Sequence, residues 1–230
     1  MRVVFVIIGL AAIVFNSCEK DKRNQEVSNA DIKVNTLVAY DNAFDVPVNK
    51  PGVILNIDSL SFFESENLKN DNSSETKQLI TAIKDLDKNF DAYDHIKTNT
   101  IRILKENNYN YTFIDHFNKK DFPNKPIDKE NYNQLINFDA LNKNYKQDDI
   151  VLINIKNGFD YSEEESSKYA AKTYVYIYII DTKNHKLKFS ESIAGTKYLD
   201  DPKREFNEEY LSEVVKESIE NTIDIINKKY

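Results

Sequence analysis

Few residues of this chain have a type and setting that could support chemistry, and Cys18 is the most distinctive of them. It is the only cysteine, so the chain forms no internal disulfide bond and offers no thiolate zinc site. An apolar run from Val3 to Phe15 precedes it, followed by Asn16 and Ser17. A run of about a dozen residues is too short to span a bilayer as a helix, but it has the length of a signal-peptide core.

This arrangement resembles the signal of bacterial lipoproteins, with Arg2 as the basic residue ahead of the apolar run. The resemblance implies that Met1–Ser17 is removed and that acyl chains, such as palmitate, are attached to Cys18. One acyl chain alone gives only marginal membrane binding, so stable anchoring requires more than one. The charged segment Glu19–Arg23 loosely resembles export signals of Bacteroidetes surface lipoproteins. We therefore expect a protein of the cell envelope, lipid-anchored in the outer membrane and facing the periplasm or the surface.

Two alternatives to lipidation are an uncleaved membrane helix and an ordinary signal peptide followed by an incidental cysteine.

Glu19–Ala30 is polar and lacks hydrophobic periodicity, which indicates a tether that reaches at most about 40 Å. Asp31–Tyr230 is long enough for one substantial core, and its composition is that of a folded protein. The net charge of −7 argues against a nucleic-acid-binding protein, which would present a basic surface.

The remaining titratable residues form no recognised catalytic pattern. The three histidines, His95, His116 and His185, match no metal-binding or catalytic spacing. Asp115 and His116 are the best acid–base pair, but no Gly-x-Ser-x-Gly turn supplies a nucleophile. Glu163–Glu165 carries carboxylates that suit a cation, although the spacing is not that of a calcium loop. We predict no catalytic residue, no metal site and no cofactor; a hydrolase site assembled from distant residues stays an alternative.

Hydrophobic periodicity predicts an α/β (or α+β) fold with a mixed β-sheet covered by helices. A C-terminal β-hairpin and a long amphipathic helix complete the prediction. The predicted strands are Val34–Tyr40, Val53–Ile57, Tyr109–Phe113, Asp149–Ile155, Thr173–Ile180 and Leu187–Ile193. The predicted helices begin near Ser73 or Ser74, near Asp128, and near Asp201 and Pro202. The first of these stretches is either one helix or two helices broken near Asp91–Asp94.

Strict alternation in Thr173–Ile180 places Tyr174, Tyr176 and Tyr178 on one side of a strand. If these rings are exposed, they form an aromatic surface for a glycan or a peptide. If a helix covers them, they belong to the core. We favour the covered arrangement, because a flat and exposed aromatic strand promotes aggregation.

The second half of the chain resembles a known family of envelope proteins. A helix ending at Tyr145 leads into Asp148–Ile155, and the long strand Tyr174–Asp181 is followed by Leu187 and a C-terminal amphipathic helix. This order is similar to lipoproteins with a TolB-amino-domain-like fold, such as curli-secretion lipoproteins and activators of penicillin-binding proteins. The resemblance covers roughly residues 135–229. It implies a non-enzymatic adaptor, or an assembly or activating factor, that docks onto another envelope protein. A surface lipoprotein that binds a glycan or peptide, and a hydrolase, are the alternatives.

Overall fold

The computed structural model describes residues 40–63, 73–90, 92–123, 126–127, 130–162, 168–199 and 206–230. These residues form an α+β fold, in which helices pack on both faces of a mixed six-stranded sheet. The predicted mixed sheet, C-terminal hairpin and long final helix are confirmed. Cys18, the tether Glu19–Ala30 and the predicted strand Val34–Tyr40, apart from its last residue, lie outside the described residues.

The sheet is built around three long antiparallel strands. Its strands are β1 (Gly52–Ile57), β2 (Ser61–Phe62), β3 (Thr112–Phe113), β4 (Asp149–Tyr161), β5 (Tyr169–Asp181) and β6 (Lys186–Tyr198). Their order is β3-β1-β4-β5-β6, and β2 pairs with β4 beyond the end of β1. β1 runs parallel to β3 and β4, whereas β4, β5 and β6 are antiparallel.

Two strand boundaries differ from the sequence-based prediction. The sequence indicates that β4 stops before Gly158, but the strand continues to Tyr161. A Cβ atom at Gly158 would collide with the backbone carbonyl of Ser61, so the glycine permits the close approach of β2 and does not end the strand. The predicted strand Tyr109–Phe113 is a strand only over Thr112–Phe113.

Five helices are present in the described residues: α1 (Ser74–Asp87), α2 (Ala92–Glu106), α3 (Tyr132–Leu135), α4 (Phe138–Tyr145) and α5 (Glu208–Lys229). Helices α1, α2 and α5 contribute to the larger core on one face of the sheet. Residues of α3 and α4 contribute to a smaller core on the other face. The predicted N-cap at Ser73 is confirmed, since its Oγ atom accepts the N–H of Thr76 at 3.2 Å.

The helix predicted to begin at Asp128 is wrong as a single helix. Asp128 lies outside the described residues, and the segment after it contains the two short helices α3 and α4. Asn137 separates them, because its Oδ1 atom accepts the N–H of Ala140 at 3.0 Å and so caps α4.

Helix α5 packs on β5 and β6 along the predicted apolar stripe, which buries Leu211, Val215 and Ile219. Its predicted start near Asp201 is wrong, since the helix begins at Glu208. Asn207 is the cap, and it accepts the N–H of Tyr210 at 2.8 Å. No helix in the described part of the chain is long and apolar enough to cross a membrane.

Candidate functional site

The tyrosines singled out by the sequence lie on the face of the sheet opposite α5. Tyr178 belongs to the smaller core, whereas Val175 and Ile177 on the same strand belong to the larger core beneath α5. Tyr178 is only 2% exposed, but Tyr174 and Tyr176 are half-buried. The structure therefore differs from the expectation that a helix covers all three rings.

The three rings are stacked almost parallel along β5. The centroids of Tyr174 and Tyr176 lie 6.1 Å apart with an interplanar angle of 17°, and those of Tyr176 and Tyr178 lie 6.4 Å apart at 7°. The Tyr176 ring is thus flanked by a parallel tyrosine ring on each side, so a ligand would reach mainly its edge and its hydroxyl group. Burial, with a smaller contribution from Tyr174, raises the pKa of Tyr176 to about 12. The hydroxyl group therefore stays protonated at neutral pH and can donate a hydrogen bond.

Strand β4 supplies polar neighbours to these rings. Asn154 lies opposite Tyr176 in the β4–β5 register, and Lys156 lies opposite Tyr174. The Nζ atom of Lys156 is 5.9 Å from the centroid of the Tyr176 ring, a distance at which a cation and an aromatic face attract. We call the surface formed by Tyr174, Tyr176, Asn154 and Lys156 the tyrosine face.

A short row of amides adjoins the tyrosine face. Asn56 Nδ2 donates to Asn154 Oδ1 at 2.8 Å and to Asp58 Oδ1 at 3.2 Å. The Oδ1 atom of Asn56 is buried and accepts no hydrogen bond from the residues that the structure describes. An unpaired buried acceptor costs about 1–3 kcal/mol, so a ligand that donates to this atom would gain binding energy.

The structure places the three histidines on separate elements. His95 lies on α2, and its Nε2 atom is 2.6 Å from the Oε1 atom of Glu220. His185 lies in the β5–β6 turn, where its ring stacks on Phe138 with centroids 5.3 Å apart. His116 is exposed in the loop after β3. Their contacts are those of surface histidines.

Asp115 and His116 line an open depression together with Asp121 and Tyr145. The Oδ2 atom of Asp121 accepts a hydrogen bond from the Tyr145 hydroxyl at 2.8 Å and another from Asn144 at 2.9 Å. The described residues that line the depression include no serine, threonine, cysteine or lysine. The hydroxyl group in this lining is that of Tyr145, which is engaged by Asp121.

The acidic segment Glu163–Glu165, considered as a cation site, lies outside the described residues. Asp160, which precedes it, pairs with Lys172 at 3.4 Å. In the described ranges, no three histidine, cysteine, aspartate or glutamate side chains are grouped closely enough to hold a metal ion.

A buried charge cluster that was not predicted from the sequence joins β6 to the end of α5. Glu191 is 1% exposed, and its carboxylate accepts hydrogen bonds from Lys229 Nζ and from the Tyr230 hydroxyl. A usable signal was present, since Glu191 shares its side of the strand with Phe189 and Ile193, which are both buried. A charged residue on an apolar face indicates a buried partner.

No family model and no curated protein matches the chain. Among solved structures, the hypothetical protein CT253 from Chlamydia trachomatis is 10% identical with a TM-score of 0.32, and the match covers 79% of this chain and 98% of that chain. A PelC dodecamer from Paraburkholderia phytofirmans is 8% identical with a TM-score of 0.31, covering 85% and 96%. A Helicobacter pylori homologue of neuraminyllactose-binding hemagglutinin is 10% identical with a TM-score of 0.29, covering 82% and 93%. At these scores the likeness carries no argument about function.

Proposed function

We propose that this protein is a membrane-anchored envelope lipoprotein that acts by binding and not by catalysis. It serves as an adaptor, or as an assembly or activating factor, for another envelope protein that docks on the tyrosine face. The observation that carries the proposal is the stack of Tyr174 and Tyr176, half-buried on the face of the sheet opposite α5. The lipoprotein-like sequence that ends at Cys18 supports the anchor.

The orientation of the rings favours a protein partner over a glycan. A sugar ring stacks on an open aromatic face, but the Tyr176 ring is flanked by Tyr174 and Tyr178, and the Nζ atom of Lys156 lies over it. The ring edges and hydroxyl groups, flanked by Asn154 and Lys156, combine apolar contact with hydrogen bonding. Protein–protein interfaces are enriched in tyrosine used in this way.

The titratable groups of the described residues also favour binding over catalysis. His95 pairs with Glu220, and Asp121 is held by Tyr145 and Asn144. These contacts fix surface elements in place, and the tyrosine hydroxyl group that lines the depression with His116 is engaged by Asp121. An adaptor requires a rigid surface, and the long strands β4 and β5 provide one.

Labelling with an alkyne-bearing palmitate in cells tests the anchor. We expect the wild-type chain to incorporate the label and Cys18→Ser to lose it, because the thiol is the proposed acylation site. Lys20→Ser, two residues away, is the matched control and should retain the label. Persistent labelling of Cys18→Ser would contradict a lipid anchor at this residue.

Photo-crosslinking in the native envelope tests the docking surface. A photoreactive residue in place of Tyr176 should give a discrete adduct with another envelope protein. The same residue in place of Lys84, which is exposed on α1, should not give that adduct. Recovery of only the monomer at both positions would contradict the adaptor function. An adduct that contains glycan and no protein would also contradict it and would support the alternative of a glycan-binding lipoprotein.

A further inference from the structure

The larger core of the fold contains an apolar cavity between the sheet and the helices α2 and α5. The cavity has a volume of about 70 Å³, and the atom-free space reaches about 760 Å³ only when the opening to solvent is included. Val151, Ile153 and Ile155 line it from β4, while Ile103 of α2 and Ile223 of α5 line it from the opposite side. The cavity and the tyrosine face lie on opposite faces of the sheet, so they are separate sites.

Tyr109 differs from the other polar residues that line the cavity in the described part of the chain. The hydroxyl oxygen of Tyr109 is buried and makes no hydrogen bond with the residues that the structure describes. In contrast, Thr100 donates to the carbonyl of Ile96 at 2.9 Å, and Thr222 donates to the carbonyl of Ser218 at 2.8 Å. Hydrogen-bond partners are also present for the other polar side chains of the lining, which are Asn99, Thr173 and Tyr230. The cavity thus combines apolar walls with a single unsatisfied hydroxyl group.

Tyr109 lies toward the end of the cavity where β4 begins. Burial raises the pKa of its hydroxyl group to about 12, and the charge of Asp149, the first residue of β4, adds to this effect. The hydroxyl group is therefore protonated and is a donor. From that end, Val151, Ile153 and Ile155 form an apolar row about 13 Å long, because alternate residues of a strand lie about 6.6 Å apart.

We propose that this cavity binds a fatty acyl chain, whose carboxyl or ester oxygen accepts a hydrogen bond from the Tyr109 hydroxyl group. The methylene groups lie along the row from Val151 to Ile155. An unbranched chain suits this elongated apolar space, whereas water is disfavoured because the walls offer almost no hydrogen-bond partners. The hydroxyl group selects an acyl chain with an oxygen at its head over a plain hydrocarbon.

Calorimetric titration of the full chain carrying Cys18→Ser with decanoic acid tests the proposal, since this variant bears no acyl chain of its own. We expect saturable binding of one molecule per chain. Val175→Phe places a larger side chain in the cavity and should weaken binding more than tenfold, while the melting temperature is kept or raised. Tyr109→Phe should weaken binding about five- to tenfold, the effect of one hydrogen bond. Tyr111→Phe, which alters a neighbouring tyrosine outside the lining, should bind as the parent chain does.

Absence of saturable binding would overturn the proposal, as would equal binding by a folded Val175→Phe variant. If Val175→Phe does not fold, Ile223→Phe fills the same cavity from α5. It should weaken binding of decanoic acid to the same degree, and equal binding by the folded Ile223→Phe variant would overturn the proposal. The acylated wild-type chain distinguishes the source of the acyl group. Failure of that chain to take up decanoic acid, while Cys18→Ser binds it, would assign the cavity to the lipid anchor of the protein itself. Uptake of decanoic acid by both the acylated wild-type chain and Cys18→Ser would assign the cavity to a free fatty acid or another lipid.

Discussion

Glu191 is a buried glutamate whose carboxylate is compensated by two partners. Its carboxylate is buried beneath the end of α5, where Lys229 and Tyr230 donate hydrogen bonds to it. Removing one partner of a buried ion pair leaves an uncompensated charge and costs about 3–5 kcal/mol. We therefore expect Lys229→Met to lower the free energy of unfolding by about that amount, measured by urea denaturation at neutral pH.

The double variant Glu191→Leu/Lys229→Met is the control for this pair. It removes both charges and replaces them with apolar groups, so it should lose much less stability than Lys229→Met alone. If the single and the double variant lose the same free energy, the buried carboxylate does not depend on Lys229.

Asp181 stabilises the β5–β6 turn through a pH-dependent contact. Its carboxylate accepts the backbone N–H of Asn184 at 2.8 Å and the side-chain amide of the same residue at 2.9 Å. Burial raises the pKa of Asp181, but the hydrogen bonds from Asn184 and the charge of Lys188 lower it more, so its pKa lies below the ordinary value of 3.8. A carboxyl group with a depressed pKa stabilises the fold above its unfolded pKa and loses that effect as pH falls through its folded pKa.

We expect Asp181→Asn to be less stable than the wild type at neutral pH, and the difference to shrink below about pH 3.8, as the wild-type carboxylate becomes protonated. Thermal unfolding recorded across this pH range measures the difference. Asp224→Asn alters an exposed residue of α5 and should show little change at any pH. A deficit of Asp181→Asn that stays constant down to strongly acidic pH would argue against a role for the charge.

Residue-level features were predictable where their causes are local. Ser73 is a helix cap because a serine side chain accepts a backbone N–H two or three residues later. Asn108 ends α2 with a positive φ of 51°, which asparagine tolerates. The cluster around Glu191 was not predicted, because Lys229 and Tyr230 are far from it in the sequence. The unpaired hydroxyl group of Tyr109 depends in the same way on distant elements.

At the scale of elements, the close packing of α5 on the sheet depends on Gly195. A Cβ atom there would meet the Thr222 hydroxyl group and the backbone carbonyl of Ser218. A helix backbone yields less easily than the tip of a side chain, so Gly195→Ala should lower the free energy of unfolding by about 1–3 kcal/mol. Chemical denaturation measures this loss.

Gly52→Ala is the matched control for Gly195→Ala. A Cβ atom at Gly52 would meet side-chain atoms of Ile114 and Gln147, which can rotate away. Gly52→Ala should therefore lose much less stability than Gly195→Ala. If both variants lose the same stability, the backbone of α5 does not limit the space at Gly195.

The types of most elements followed from periodicity, whereas several of their ends did not. β4 continues through Gly158 because β2 requires a residue without a side chain there. α3 and α4 are separate because Asn137 caps the second of them. The contact that decides the role of Gly158 comes from a strand distant in the sequence, whereas the cap at Asn137 is a local signal that the sequence-based prediction overlooked.

At the scale of the whole molecule, the feature that the sequence could not predict is the pairing of strands that lie far apart in the chain. β1 and β4 pair in parallel, with Val53 opposite Val151, and no local pattern encodes that register. Alternation on β5 correctly grouped Tyr174, Tyr176 and Tyr178 on one side. It could not predict which side α5 covers, because apolar residues occupy both sides of β5. The tyrosines of the site were therefore predictable as a set, whereas Asn154, Lys156 and the partial exposure of the tyrosine face were not.

The proposal that a partner docks on the tyrosine face is tested by a binding measurement. The measured quantity is the affinity between the purified chain and the envelope protein that is crosslinked at position 176. Wild type, Tyr176→Ser and Lys84→Ser are compared, each confirmed as folded by its unfolding transition. We expect Tyr176→Ser to weaken binding at least about tenfold, since an interface tyrosine commonly contributes more than about 1.4 kcal/mol. Lys84→Ser should bind as the wild type does. Equal affinity of wild type and Tyr176→Ser would contradict the claim that the tyrosine face is the docking surface.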